Sequence, residues 1–340
     1  MADDHTTATF TGLADLASSR VGGAAIAAND DFFAPRANLV KPAPALFVPG
    51  KYTSRGKWMD GWETRRRRSP GHDWCIVSLG MRGVIRGVDV DTSYFDGNHP
   101  SHCSIEALDS KTPVPRAVFP RSGPPWVEIL PRSPLQATRP NLFAIADDRP
   151  WTHVRLNIFP DGGVARLRVY GEVAMDWSRA RRDGRALDLA AIRSGGLVLG
   201  ASDMHFGAKD NLIMPGRARN MGDGWETRRR RGEGFDWVIV RLGTSGTIAK
   251  VEIDTNHFKG NYPDSASLEA CLAPNAALDA LQSPSVVWRE VLQRTRLEAN
   301  TRHFYSRELV GIGPVSHVRL NIFPDGGVSR LRIHGHVARD

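Results

Sequence analysis

The sequence is written twice. Asp60-Gly61-Trp62-Glu63-Thr64, followed by Arg65, Arg66, Arg67 and Arg68, returns 163 positions later as Asp223-Gly224-Trp225-Glu226-Thr227 and Arg228 to Arg231. At the same offset Asp73-Trp74 returns as Asp236-Trp237, and Leu79-Gly80 as Leu242-Gly243. The block Asp91-Thr92, Phe95, Gly97-Asn98 and Pro100 is answered by Asp254-Thr255, Phe258, Gly260-Asn261 and Pro263. The stretches that start at His153 and His317 agree at 17 of 21 positions. Self-similarity on this scale means one module folded twice, because each copy carries its own strand and turn signals. The chain of 340 residues is long enough for two cores. The expected domains are residues 1–176 and 177–340, with the modules proper running from about Leu13 to Val173 and from Ala186 to Val337. The Arg- and Asp-rich stretch from Ala174 to Arg185 reads as a solvated linker. The first copy also carries an extra Pro- and Lys-bearing loop, Lys41 to Lys57, with no counterpart of that length in the second.

Each copy has the pattern of short strands. Trp74 to Leu79 and Trp237 to Leu242 are β-branched and bounded by glycine. Ile85 to Val90 and Ile248 to Ile253 follow what reads as a glycine-containing turn. His153 to Phe159 alternates polar with apolar, Pro160-Asp161-Gly162-Gly163 turns the chain, and Val164 to Val169 alternates again, which predicts a hairpin. Helical periodicity is confined to residues 11–20 and 178–193. Many short strands with Gly and Pro punctuation predict an all-β protein of two tandem antiparallel β-sandwiches.

The three blocks, in order and duplicated, resemble the allantoicase family over nearly the whole chain, from about Leu13 to Val337. The resemblance implies two jelly-roll β-sandwich domains of the galactose-binding or discoidin-like kind, produced by an internal duplication. It also implies the reaction, in which allantoate and water give ureidoglycolate and urea during purine breakdown. A non-catalytic small-ligand or carbohydrate-binding β-sandwich is the second reading.

Allantoate is a small carboxylate whose central carbon bears two ureido groups. Expelling one as urea requires a proton for the leaving nitrogen, an activated water and a hold on the carboxylate. Glu63 and Glu226 are the leading acid/base candidates, with Asp91, Asp254, His153 and His317 behind them. Arg65, Arg66, Arg228 and Arg229 offer planar guanidinium forks that match a carboxylate, and an extended run would turn only alternate arginines to one side. Asn98, Asn261, Arg155 and Arg319 complete the candidate binding set. Asp91-Thr92 and Asp254-Thr255 read equally well as turn devices. Phe95 and Phe258 read as core plugs, and the Asp-Gly-Gly segments as structural turns.

The remaining composition narrows the partners. A formal net charge of +8 permits nucleic acid or a small anion. The arginine runs, however, are compact and each follows Glu, unlike a basic platform interleaved with aromatics. No metal signature such as H-E-x-x-H and no nucleotide-binding loop appears, so no cofactor is expected. A divalent ion assembled in space from Asp, Glu and His is left open. Cys75, Cys103 and Cys271 do not recur between the copies, which predicts buried thiols rather than a disulfide framework. No apolar run approaches the roughly 18–20 residues of a membrane helix, and Asp3-Asp4 stands where a secretory signal would be basic. The expectation is a cytoplasmic homo-oligomer acting on allantoate, with neither nucleic acid nor membrane as partner.

Overall fold

A computed structural model describes residues 9–110 and 126–338; residues 1–8, on which the reading of the N-terminus rests, lie outside them. The chain divides into two compact units, Met1–Ala174 and Met175–Asp340. In the first, β1 (Ala14–Asp15) and β2 (Ala24–Ala28) precede a small ribbon, β3 (Tyr52–Thr53) and β4 (Gly56–Lys57). Then come β5 (Trp62–Glu63), the 19-residue β6 (Asp73–Asp91), β7 (His102–Leu108), β8 (Val127–Pro134) and β9 (Leu142–Ala144). β10 (Pro150–Phe159), β11 (Gly163–Val164) and β12 (Arg166–Val173) close the unit.

β6 organises this unit. Its first half pairs antiparallel with β2 and β10, its second half with β9 and β12. β7 and β8 extend the β10 side, and β1 extends the β12 side. One long strand therefore contributes to both layers of the sandwich. The glycine turn expected between Leu79 and Ile85 gives way to continuous strand, in which residues 79–82 slip out of register with β10. Glycine inside a strand marks a bend or a close backbone approach as readily as a turn. The predicted hairpin is also revised: β10 and β12 pair with opposite halves of β6, so Pro160-Asp161-Gly162-Gly163 carries the chain from one layer to the other.

Side-chain alternation along β10 sends Val154, Leu156 and Ile158 into the core, fully buried. Phe95, 1% exposed, plugs the same unit from the loop after β6. It explains one glycine directly, since a Cβ on Gly163 would lie 2.0 Å from its ring. The adjacent Gly162 has φ +138°, open to glycine alone without strain. A buried ion pair ties these parts together. Arg166, 1% exposed, donates to Asp60 Oδ2 at 2.6 Å and to the Asp60 carbonyl at 2.7 Å.

The second unit repeats the plan. Its long strand Asp236–Asp254 pairs with Val315–Phe323 and Arg330–Val337, and Phe258 packs where a Cβ on Gly327 would fall. Helix is scarcer than its periodicity suggests. The stretch expected as solvated linker holds α1 (Trp177–Asp183), capped by the Asp176 side chain and by left-handed Gly184. Residues 11–20 form two 3₁₀ turns around β1 instead of a helix. The three cysteines are buried and free.

Candidate active site

β5 is only two residues long, and its alternation sets the site. Trp62 is fully buried, its indole N–H donating to the Asp30 carbonyl at 2.8 Å. Glu63 therefore faces the other way. Thr64 is locked behind it, its hydroxyl accepting from the Gly162 N–H at 3.1 Å. Opposite lies the loop after β6. Asp91 Oδ1 accepts from the Ser93 N–H at 2.8 Å, and the Thr92 hydroxyl donates to the Gln136 carbonyl at 2.6 Å. Tyr94 then takes a left-handed backbone, φ +69°, which is rare away from glycine and is sustained where the surroundings fix it. Phe95 anchors the loop in the core. Asn98 is thereby delivered to Glu63, its Nδ2 donating to Oε1 at 2.7 Å.

Glu63 and Asn98 line a pocket of about 250 Å³ with Lys57, Met59, Tyr94 and Asp96. Phe47 stacks on Tyr94 at 5.8 Å between centroids, and Lys57 Nζ sits 4.7 Å over the Phe47 ring. Burial pushes the Glu63 carboxyl above its ordinary value, against the opposing pull of the Asn98 hydrogen bond and the Lys57 charge. A carboxyl held in this way can give up and recover a proton beside a substrate.

The second unit keeps part of the arrangement. Asn261 Nδ2 donates to Glu226 Oε1, and the Trp225 indole binds the Asp203 carbonyl as Trp62 binds Asp30. His257 takes the left-handed position, φ 73°, and its Nε2 meets the Ala218 carbonyl at 2.9 Å. At the 163-residue offset, however, Asn220 stands in place of Lys57 and Lys259 in place of Asp96.

An allantoicase-repeat family model matches residues 14–174 and again 187–338. A probable allantoicase 1 of Burkholderia mallei is 50% identical over 321 residues, covering 94% of both chains. A probable allantoicase of Pseudomonas paraeruginosa is 49% identical over 332 residues, 98% of each. The crystal structure of allantoicase from Saccharomyces cerevisiae superposes with a TM-score of 0.82 at 34% identity, over 97% of both chains. The chain belongs to the allantoicase family. Its two units are two allantoicase repeats, and α1 falls in the interval between the matched segments.

The other candidate residues of the allantoicase repeats lie elsewhere. The chain leaves β5 at Glu63, so the arginine run is not a strand and does not alternate. Arg65 and Arg66 are exposed. Arg65 pairs with Asp30 at 3.2 Å and rests over Phe32, while Arg67 is the inward member, 2.7 Å from Asp73. Arg228 and Arg229 are likewise exposed; Arg228 pairs with Asp203, and Arg230 turns inward to Asp236.

Asp91 and Asp254 serve as turn devices, each accepting from the backbone two residues on at 2.8 Å. Asp254 also lines a separate hollow of about 360 Å³ with Asp188, Glu252, Arg302 and Arg332.

Arg155 forks onto Glu106 with two 2.6 Å hydrogen bonds and stacks 5.0 Å from Trp126. Arg319 likewise meets Glu269, but through the single oxygen Oε2, at 2.8 and 2.9 Å, and lies 4.7 Å from the Trp288 ring. His153 and His317 are buried inside the strands Pro150–Phe159 and Val315–Phe323, not at their starts, Nδ1 against Thr152 and Ser316, and burial lowers both pKa values, that of His317 to about 4. No group of three His, Cys, Asp or Glu among the described residues is placed to hold a metal. Nor is any helix among them long and apolar enough to cross a membrane.

Lys57, Tyr94 and Asp96 are the site residues that sequence reasoning passes over. Lys57 ends the extra loop, whose length was its one signal. Tyr94 and Asp96 occupy variable positions inside a repeated block, where comparison of the copies draws attention elsewhere.

Proposed function

We propose that the first-repeat pocket hydrolyses allantoate to ureidoglycolate and urea, with Glu63 as its proton donor and acceptor. The observation that carries this reading is the Glu63–Asn98 contact at the pocket wall, where burial lifts the carboxyl above its usual range. Protonated Glu63 gives its proton to one ureido nitrogen as the bond from that nitrogen to the central carbon breaks. The lone pair of the other ureido nitrogen supplies the electrons, and urea departs. Water then adds to the carbon and returns a proton to the Glu63 carboxylate, which regenerates the acid. Asn98 fixes the orientation of the carboxyl throughout. The buried free thiols of Cys75, Cys103 and Cys271 support a reducing compartment, the cytoplasm.

Urea release from allantoate by the purified chain is the direct test, and it also excludes a pure binding module. Glu63→Gln keeps the acceptor for Asn98 while removing proton transfer, so turnover should fall by about 10²–10⁴ with folding intact. Near-parental turnover in that variant would assign Glu63 to the scaffold.

A further inference from the structure

We propose that Lys57, carried by the extra loop of the first repeat, is the anchor for the substrate carboxylate. Its position makes the first repeat the catalytic copy. This rests on the assignment of Glu63 above and identifies what that site binds.

Three observations converge on the lysine. The loop is fastened to the site: Asp60 accepts from Lys41 Nζ at 2.8 Å and from the Leu46 N–H at 3.1 Å, while Arg55 reaches the Phe32 carbonyl at 2.9 Å. The β3–β4 ribbon then sets Lys57 opposite Tyr52, at the rim shared with Glu63. Lys57 is also the cation of the pocket lining; among the described residues it makes no salt bridge, its Nζ lies over the face of Phe47, and its charge reaches the Glu63 carboxyl. Arg65, by contrast, is already paired with Asp30, and Arg67 with Asp73. Finally, the two copies keep the Glu–Asn contact but not the lysine, since Asn220 stands at its offset position. The shared contact supplies a carboxyl to each repeat; the loop adds Lys57 beside it in the first, whereas the second carries its lysine, Lys259, at the offset position of Asp96.

The electrostatics suit a ureido acid. With Glu63 protonated, Asp96 is the one other acidic group of the lining, and the three N–H donors of the ammonium can grip the substrate carboxylate without a guanidinium fork. The carboxylate bound at Lys57 leaves the ureido groups on the Glu63 side. Phe47, beneath the ammonium, stacks on Tyr94 of the pocket lining.

Steady-state kinetics of Lys57→Met, Lys57→Arg and Lys259→Met, compared with Glu63→Gln, test this. Lys57→Met should raise KM for allantoate about tenfold to a hundredfold, with kcat within about threefold. It should weaken allantoate far more than the uncharged amide of the same acid. Because the Lys57 charge holds the Glu63 pKa down, its loss should also move the pH limb due to Glu63 toward alkaline pH. Lys57→Arg should recover most of the affinity, and Lys259→Met should leave both constants unchanged.

An unaltered KM in Lys57→Met overturns the proposal. So does an equal loss for acid and amide, or the same effect from Lys259→Met. Full turnover in Glu63→Gln together with a raised KM in Lys57→Met would overturn the catalytic reading alone and leave the anchor standing.

Discussion

Asp60 opens the repeated motif, and its neighbours make it a hinge between stability and binding. It is 6% exposed and faces Arg166, which is 1% exposed. Replacing it by alanine leaves the guanidinium buried with carbonyl partners from Ala43, Pro44, Asp60 and Ala165, but without a counter-charge. Removing one member of a buried pair costs about 3–5 kcal/mol. For a cooperative unit of this size that is a fall in Tm of roughly 6–20 °C. Asp60→Ala also releases Lys41 and Leu46, and with them the loop that ends in Lys57.

Two readouts should therefore move together. Urea denaturation should show the lost stability, and KM for allantoate should rise even at temperatures where the variant is folded. The pair has a pH signature too. Burial would raise the Asp60 pKa, but the Lys41 and Arg166 hydrogen bonds outweigh it and the net shift is downward. Its contribution is thus complete above the unfolded value of about 3.8 and lost as pH falls through the lower folded value. A loss of less than about 1 kcal/mol, with KM unchanged, would refute the coupling of this pair to the loop.

Two further outcomes follow from the same geometry. Asn98 donates to the charged form of Glu63, so Asn98→Ala should raise the Glu63 pKa further and shift its limb of the kcat/KM profile to higher pH; an unmoved limb would detach Asn98 from the proton transfer. Burial holds His317 at about 4 against an ordinary 6.5, so the unfolded chain binds the extra proton and stability drains as pH falls from about 6.5 to 4. His317→Gln should flatten the Tm profile in that window and leave turnover intact, whereas an unchanged profile would place the acid sensitivity elsewhere.

The tandem sandwich was legible because alternation along His153 to Phe159 and its copy is a local property. Pairing partners are not local. Gly80 and Gly83 punctuate the sequence as a turn would, yet β6 runs through them to serve both layers. Pro160 to Gly163 has hairpin composition, yet it joins strands that never pair with each other. Glu63 and Asn98 could be found by repetition. The arginine run misled because its register depends on where β5 stops, and a row of identical residues carries no signal for that.

Repetition within one chain is therefore evidence of two different kinds. Asp60 with Arg166 recurs as Asp223 with Arg330, and Arg67 with Asp73 recurs as Arg230 with Asp236. The Thr64–Gly162 contact recurs as Thr227–Gly326. These contacts close a fold, and any working copy of the module needs them whether or not it performs chemistry. Most of the repeated motif is accounted for in that way, which is why its charge content overstates its catalytic content. Glu63 differs in kind: its contact with Asn98 satisfies one oxygen and leaves the carboxyl facing a pocket, with its pKa raised. What then separates a site from a scaffold is where the copies part, and they part at Lys57 and Asp96, on the rim of that pocket.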